Sequence, residues 1–192
     1  MTTIVVKIGG KAAESRGSLD SLCQELIALS RLGPEPLGIS ALEFSQRVRA
    51  KSREIKPLLL DQHFLAGVGN IYADESLYRA GIHPRRKSDS LEKKTLFRLH
   101  QVVQEVLKES IRAKGTSVRS YVDATGSTGA FQNFLRAYGR EGEPCGVCGT
   151  PIVRERVGGR SSFLCPRCQR PPRGRAGKGS LPPRKNLGKI VA

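Results

Sequence analysis

Ile55-Lys56-Pro57-Leu58-Leu59-Leu60-Asp61-Gln62, followed three residues later by Ala66-Gly67-Val68-Gly69-Asn70-Ile71-Tyr72-Ala73-Asp74-Glu75, is the stretch from which the architecture can be read. Lys56-Pro57 opens a short helix, because a proline in the first turn lacks only an N–H that no carbonyl awaits. The pattern carries this helix to Gly67-Val68-Gly69, and a second helix opens at Asn70 and ends near Gly81, ahead of His83-Pro84. Two glycines at the corner let backbone approach a partner closely. The free N–H groups of the Asn70 helix carry the positive end of its dipole, and Lys56 adds a cation. Together they describe an anion site suited to a DNA phosphate. Glycine pairs also serve helix corners for purely steric reasons, so the pattern alone leaves that alternative open.

The surrounding chain is rich in helix signals. Ser40 caps a helix carrying Leu42, Val48 and the basic run Arg47, Arg49, Lys51 and Arg53. Ser90 caps a long amphipathic helix with Leu96, Leu99, Val103, Val106, Leu107 and Ile111 at helical spacing, stopped by Gly115. Both apolar stripes read as core. Residues 1–31 read as a strand (Ile4, Val5, Val6, Ile8), a Gly9-Gly10 turn and an amphipathic helix. Gly33-Pro34-Glu35-Pro36-Leu37-Gly38 reads as a linker or hinge. Residues 170–192 form a proline-, glycine- and arginine-rich tail too poor in apolar groups to fold alone. The expected units are therefore 1–31, a helical domain over 32–138, a cysteine-bearing finger over 139–169, and the tail.

In that finger Cys145-x2-Cys148 and Cys165-x2-Cys168 stand sixteen residues apart. Two such knuckles offer four thiolates to one tetrahedral Zn²⁺. A disulfide framework is disfavoured because nothing points to secretion, and a redox pair usually comes singly. Four thiolates leave no open coordination position, so the metal is expected to be structural. Residues 152–157 and 161–165 read as strands around Gly158-Gly159, a tight hairpin turn. So few large apolar groups cannot build a core, and the metal must supply folding free energy. The hairpin projects Arg154, Arg156 and Arg160. The first two read as solvated strand charge, whereas Arg160 sits at the tip, within reach of a phosphate. Cys23 stands apart and reads as a buried apolar residue.

Composition agrees with a polyanion partner. The 192 residues carry a formal charge of +16, and without the seven basic residues of 170–192 the balance is still +9. A strongly basic body favours nucleic acid. No apolar run approaches the roughly 18 residues of a membrane span. The early apolar stretch is too short for a signal peptide, so a cytoplasmic location is expected.

The corner motif, with Gly81-Ile82-His83-Pro84, Gly115-Thr116-Ser117 and Tyr138-Gly139-Arg140, resembles the helix–two-turns–helix region of formamidopyrimidine-DNA glycosylases. The cysteine finger, with Gly149-Thr150-Pro151-Ile152 and an arginine five residues before the third cysteine, resembles that family's zinc finger. The likeness covers about 32–169. It implies a mainly α fold with a small β-hairpin zinc finger, and repair of oxidised purines by base flipping, glycosidic cleavage and strand nicking. By position, Lys56, Asn70, Arg160 and Tyr138 resemble residues that contact DNA phosphates. Ser117, Val118, Arg119, Ser120 and Tyr121 resemble the loop around the flipped base. Cys145, Cys148, Cys165 and Cys168 resemble the ligands of one structural zinc. The implied partner is double-stranded DNA containing oxidised purines or abasic sites, bound by a monomer near the nucleoid.

The family's chemistry uses an N-terminal proline and neighbouring glutamate on a β-sandwich. This sequence begins Met1-Thr2-Thr3, its first proline is Pro34, and no such sandwich is expected. Residues 1–29, through Ile4-Val5-Val6-Lys7-Ile8-Gly9-Gly10-Lys11, resemble instead the start of amino-acid kinases of the acetylglutamate kinase kind. Three functions follow: a damaged-DNA-binding module without its own excision chemistry, a glycosylase/lyase using an unusual nucleophile or a separate catalytic half, or a phosphotransferase fragment.

Overall fold

The computed structural model describes residues 31–115 and 129–172. The chain divides into two compact units, 1–32 and 33–192, and the described residues fall almost entirely in the second. The strand and helix expected over 1–31, Cys23, the loop residues Ser117 to Tyr121 and the tail beyond 172 lie outside the described residues.

Among the described residues, four α-helices build the body: α1 (Ala41–Arg49), α2 (Ile55–Leu59), α3 (Asn70–Ala80) and α4 (Lys93–Arg112). Ser40 caps α1 as the sequence requires, its Oγ accepting the Glu43 N–H at 3.2 Å. Gly81 ends α3 with φ +70, a left-handed position that a glycine adopts without strain. Burial of Phe44, Val48, Ile55, Leu58, Leu59, Leu77, Leu96 and Leu99 forms one core between the four helices. Among the described residues, no helix is long and apolar enough to cross a membrane.

Several expectations are corrected. Helix α2 stops at Leu59 rather than reaching Gly67. The carbonyl of Asp61 accepts the N–H groups of Phe64 and Leu65, both at 2.9 Å, which closes a turn instead of propagating the helix. Gln62 then folds back: its Oε1 accepts the Gly67 N–H at 2.8 Å and its Nε2 donates to the Val68 carbonyl at 3.1 Å. Helix α4 begins directly after Glu92, which makes no side-chain capping bond, and not after Ser90, which lies in a 3-10 turn (Ser88–Ser90). Leu91 is buried, and inserting it into the core keeps the chain extended for two residues. Leu42 and Ile111, both read as core, are exposed at 49% and 65%. Phe44 takes the inward place on α1. In α4 the inward position after Val106 is Ser110, whose Oγ meets the Tyr72 hydroxyl at 2.7 Å. The segment 33–38 is no free linker. The Gly33 N–H bonds to the Gln62 carbonyl, the Pro34 carbonyl accepts from Ala66, and the Pro36 carbonyl accepts from Gln104.

Beyond the helices, β1 (Val153–Val157) and β2 (Arg160–Leu164) pair antiparallel, with Val157 opposite Arg160. The two residues between them, Gly158 (φ +56) and Gly159 (φ +80), supply the two positive φ angles that a tight hairpin needs. A Cβ at Gly158 would stand 2.7 Å from Pro57 Cγ, so this turn lies directly on α2. Helix α3 carries most of the remaining docking. The buried Glu75 carboxylate collects the consecutive N–H groups of Arg136, Ala137 and Tyr138 at 2.8–3.0 Å. Asp74 Oδ2 accepts the Phe163 N–H at 3.1 Å. Gln169, also buried, accepts from Cys165 N–H and donates to the Ile82 carbonyl, each at 2.9 Å.

Candidate nucleic-acid interface

The corner places an open helix end at the surface. Gly69, extended, precedes α3, and its carbonyl accepts the first intrahelical N–H, that of Ala73, at 2.9 Å. The N–H groups of Asn70, Ile71 and Tyr72 therefore precede the hydrogen-bond ladder. Among the described residues, no atom lies within 4 Å of where a Cβ would stand at Gly67 or Gly69, so they leave this surface clear on its outer side. Gly67 has φ +77, which accounts for one glycine through backbone conformation. Gly69 is not held by conformation, and its bare Cα leaves the helix end accessible.

Lys56 is placed otherwise than expected. Its side chain is fully buried, and its ammonium meets Asp74 Oδ1, the Ser161 carbonyl and Ser162 Oγ, each at 2.7 Å. Its three protons are all committed, so it does not present a free charge to a phosphate. The cause is tertiary: α3 carries Asp74 beneath the hairpin, and the ammonium is drawn inward between them. Burial holds the Lys56 pKa below its ordinary value against the attraction of Asp74. Burial likewise pushes Asp74 up to about 6, opposed by Lys56.

Asn70 opens α3, and its Nδ2 donates to the same Ser161 carbonyl at 3.1 Å. Its Oδ1 is buried without a hydrogen-bond partner among the described residues. Arg160, adjacent to Ser161, is exposed and makes no ion pair or side-chain hydrogen bond among the described residues. The corner and the finger tip therefore share one carbonyl as a fixed point, with an open helix end and a free guanidinium beside it. Tyr138 is half-buried, its ring set edge-on to Phe163 at 5.0 Å, and its N–H is held by Glu75. Arg154 reaches the same ring at 5.9 Å and bonds Ser161 Oγ at 2.9 Å, so it is a tethered rather than merely solvated charge.

Asp74, Glu75, Tyr78 and Gln169 have no role legible in the sequence, yet they hold the finger against the body. The available signal is α3 itself. It has apolar residues on more than one side (Ile71, Ala73, Leu77, Tyr78), so acids in its middle turns must be buried and need donors.

The four cysteines converge as their spacing requires. Their sulfurs lie within 4.8 Å of one another, with Cys145 to Cys168 at 3.9 Å and Cys148 to Cys165 at 3.4 Å. A zinc tetrahedron with ~2.3 Å bonds has edges of about 3.8 Å. The donor set and its size thus fit one Zn²⁺ in a closed, structural site. Backbone N–H groups of Val147 and Cys168 point at Cys145 and Cys165 sulfur, both at 3.4 Å, as thiolates in a metal knuckle require.

Comparison with known proteins agrees with this geometry. Residues 32–122 match the formamidopyrimidine-DNA glycosylase H2TH domain. Residues 142–171 match the zinc finger found in FPG and IleRS. The formamidopyrimidine-DNA glycosylase of Heliobacterium modesticaldum is 54% identical over 142 residues, 73% of this chain and 51% of that protein. Among solved structures, MutM (Fpg) from Thermus thermophilus superposes with a TM-score of 0.71 at 43% identity, covering 76% of this chain and 56% of the other. Lactococcus lactis Fpg, in complex with DNA containing an abasic site, gives 0.71 at 38%, covering 80% and 56%. The chain thus spans about half the length of the curated relatives it matches. The resemblance of residues 1–29 to amino-acid kinases finds no support in these matches. Through its helix–two-turns–helix and zinc-finger domains, the chain belongs to the formamidopyrimidine-DNA glycosylase family.

Proposed function

We propose that residues 32–172 form the damaged-DNA-binding part of a base-excision glycosylase/AP lyase, gripping a duplex at an oxidised purine or abasic site. The observation that carries this reading is the shared Ser161 carbonyl. Lys56 and Asn70 both donate to it, which sets Arg160 beside the open end of α3. A helix end and an arginine whose neighbouring backbone is pinned to that end suit phosphates along one bent strand. Asn70, Arg160 and Tyr138 contact the backbone. Lys56 acts from beneath, fixing the hairpin so that Arg160 is preorganised, and Ser117 to Tyr121 border the extruded base. The relative from Lactococcus lactis was solved on abasic-site DNA, which supports the same ligand class here.

Within residues 32–172 the adjacent proline and glutamate, Pro34-Glu35, lie inside the chain, where the proline nitrogen is an amide rather than a free amine, so we assign this region recognition rather than bond cleavage. Excision then requires a catalytic half outside it. The protein acts as a monomer, on DNA in the cytoplasm. Fluorescence anisotropy with a duplex carrying an abasic-site analogue, against the intact duplex, tests recognition at low ionic strength. Tighter binding to the abasic duplex is expected, and equal or absent binding to both overturns the proposal. Borohydride trapping on abasic DNA tests the division of labour. No covalent adduct is expected from this chain alone, and an adduct assigns it its own nucleophile.

A further inference from the structure

Tyr78 stands one helical turn beyond Asp74 on α3, on the side of the helix that holds the finger. Its side chain is buried at 5% exposure among Ala137, Cys145, Ile152 and Cys165. Its hydroxyl lies 3.1 Å from Cys145 Sγ. A buried phenolic O–H left without an acceptor is costly, and the sulfur is the acceptor the structure gives it. Cys145 is itself nearly inaccessible, at 3%, and already receives the Val147 N–H at 3.4 Å. Four thiolates on one Zn²⁺ leave two excess negative charges in a buried site. Donors aimed at sulfur disperse that charge and favour metal retention. The backbone donors come from the knuckles themselves. The Tyr78 donor comes from the helical body, from the same helix whose first residue is Asn70.

We propose that Tyr78 is an outer-shell hydrogen-bond donor to the zinc site through Cys145, so that metal retention depends on the docking of the finger against α3. Tyr78 is thus a positioning residue for the metal centre. The hydroxyl donates its proton to the thiolate and no covalent step is involved. The inference rests on the zinc site and stands apart from the DNA-binding reading.

Tyr78→Phe removes one oxygen and keeps the ring that fills the site, and circular dichroism of the zinc-loaded protein checks that the fold is retained. Zinc transfer from the full chain to a chromophoric chelator is expected to become about 10–100-fold faster or more complete in the variant. In protein loaded with Co²⁺ instead, the thiolate-to-metal charge-transfer band is expected to move to longer wavelength, because a sulfur without the donor is easier to oxidise. Zinc release and a cobalt band both equal to wild type overturn the proposal. Faster release with an unmoved band overturns it as well, since that result assigns the effect to packing alone.

Discussion

At the scale of single residues, the chemistry divides between side chains that face the ligand and side chains that hold them. On the proposed reading, Asn70 and Arg160 belong to the first group. Replacing either by alanine removes a donor to a charged oxygen, worth about 1.5–3 kcal/mol, so affinity for abasic duplex should fall about tenfold or more. Anisotropy titration checks this, and unchanged affinity for Asn70→Ala refutes the phosphate site at the corner. Lys56 belongs to the second group. Lys56→Met leaves the Asp74 carboxylate buried without its cation, and breaking such a pair costs about 3–5 kcal/mol. Denaturant unfolding reads this loss directly, and a stability equal to wild type contradicts the role of Lys56 as a strut.

His83 supplies a pH dependence. Its side chain is buried and its Nδ1 accepts the Arg85 N–H at 3.2 Å, a bond only the unprotonated nitrogen can make. Burial holds its pKa below the ordinary value of 6.5. The unfolded chain therefore binds this proton first as pH falls. The stability it contributes is present in full above 6.5 and is lost as pH drops from there through the folded value. Asp74, pushed up to about 6, works in the opposite direction, since its folded form takes up a proton before the unfolded one. Comparing wild type with His83→Asn isolates the histidine. The stability difference between them should shrink from pH 7.5 to pH 5, and a constant difference contradicts the assignment.

At the scale of elements, the hairpin is the part whose stability is borrowed. Its apolar cluster is small and built around Cys145, Ile152 and Cys165, whereas the helices share a core of their own. Chelation should therefore melt the two strands and leave α1 to α4 folded, because the metal supplies the finger's folding free energy. Helical circular dichroism retained alongside lost protection of 153–164 amides in hydrogen exchange is the expected signature. The turn adds a second constraint. Gly158→Ala places a side chain at φ +56 and pushes a Cβ against Pro57. The backbone contribution alone is about 1–2 kcal/mol. The hairpin should lift from α2, weakening DNA binding through Arg160 while zinc content stays near stoichiometric.

At the scale of the whole molecule, a charge of +16 on 192 residues makes association strongly dependent on salt. Each phosphate neutralised contributes a slope of about −0.9 in log K against log salt. Arg160→Ala should reduce the slope by about that amount, while Asn70→Ala, which removes no charge, should lower affinity with the slope unchanged. The local grammar follows from residues that are close in the chain. The Ser40 cap, the end of α3 at Gly81, the Gly158-Gly159 turn and the four-sulfur site are set by residues a few positions apart, or by a spacing that admits one metal geometry. The three-dimensional arrangement alone decided where charge goes. Lys56 reads as a surface cation because its neighbours in sequence are a helix start. Only the return of the chain 18 residues later at Asp74, and again at Ser161 and Ser162, turns it inward. Likewise Asp74, Glu75 and Tyr78 look like ordinary helix residues until the finger folds back over α3. Their donors and acceptors come from segments 60 to 90 residues away, and no periodicity in a single chain records a contact at that separation.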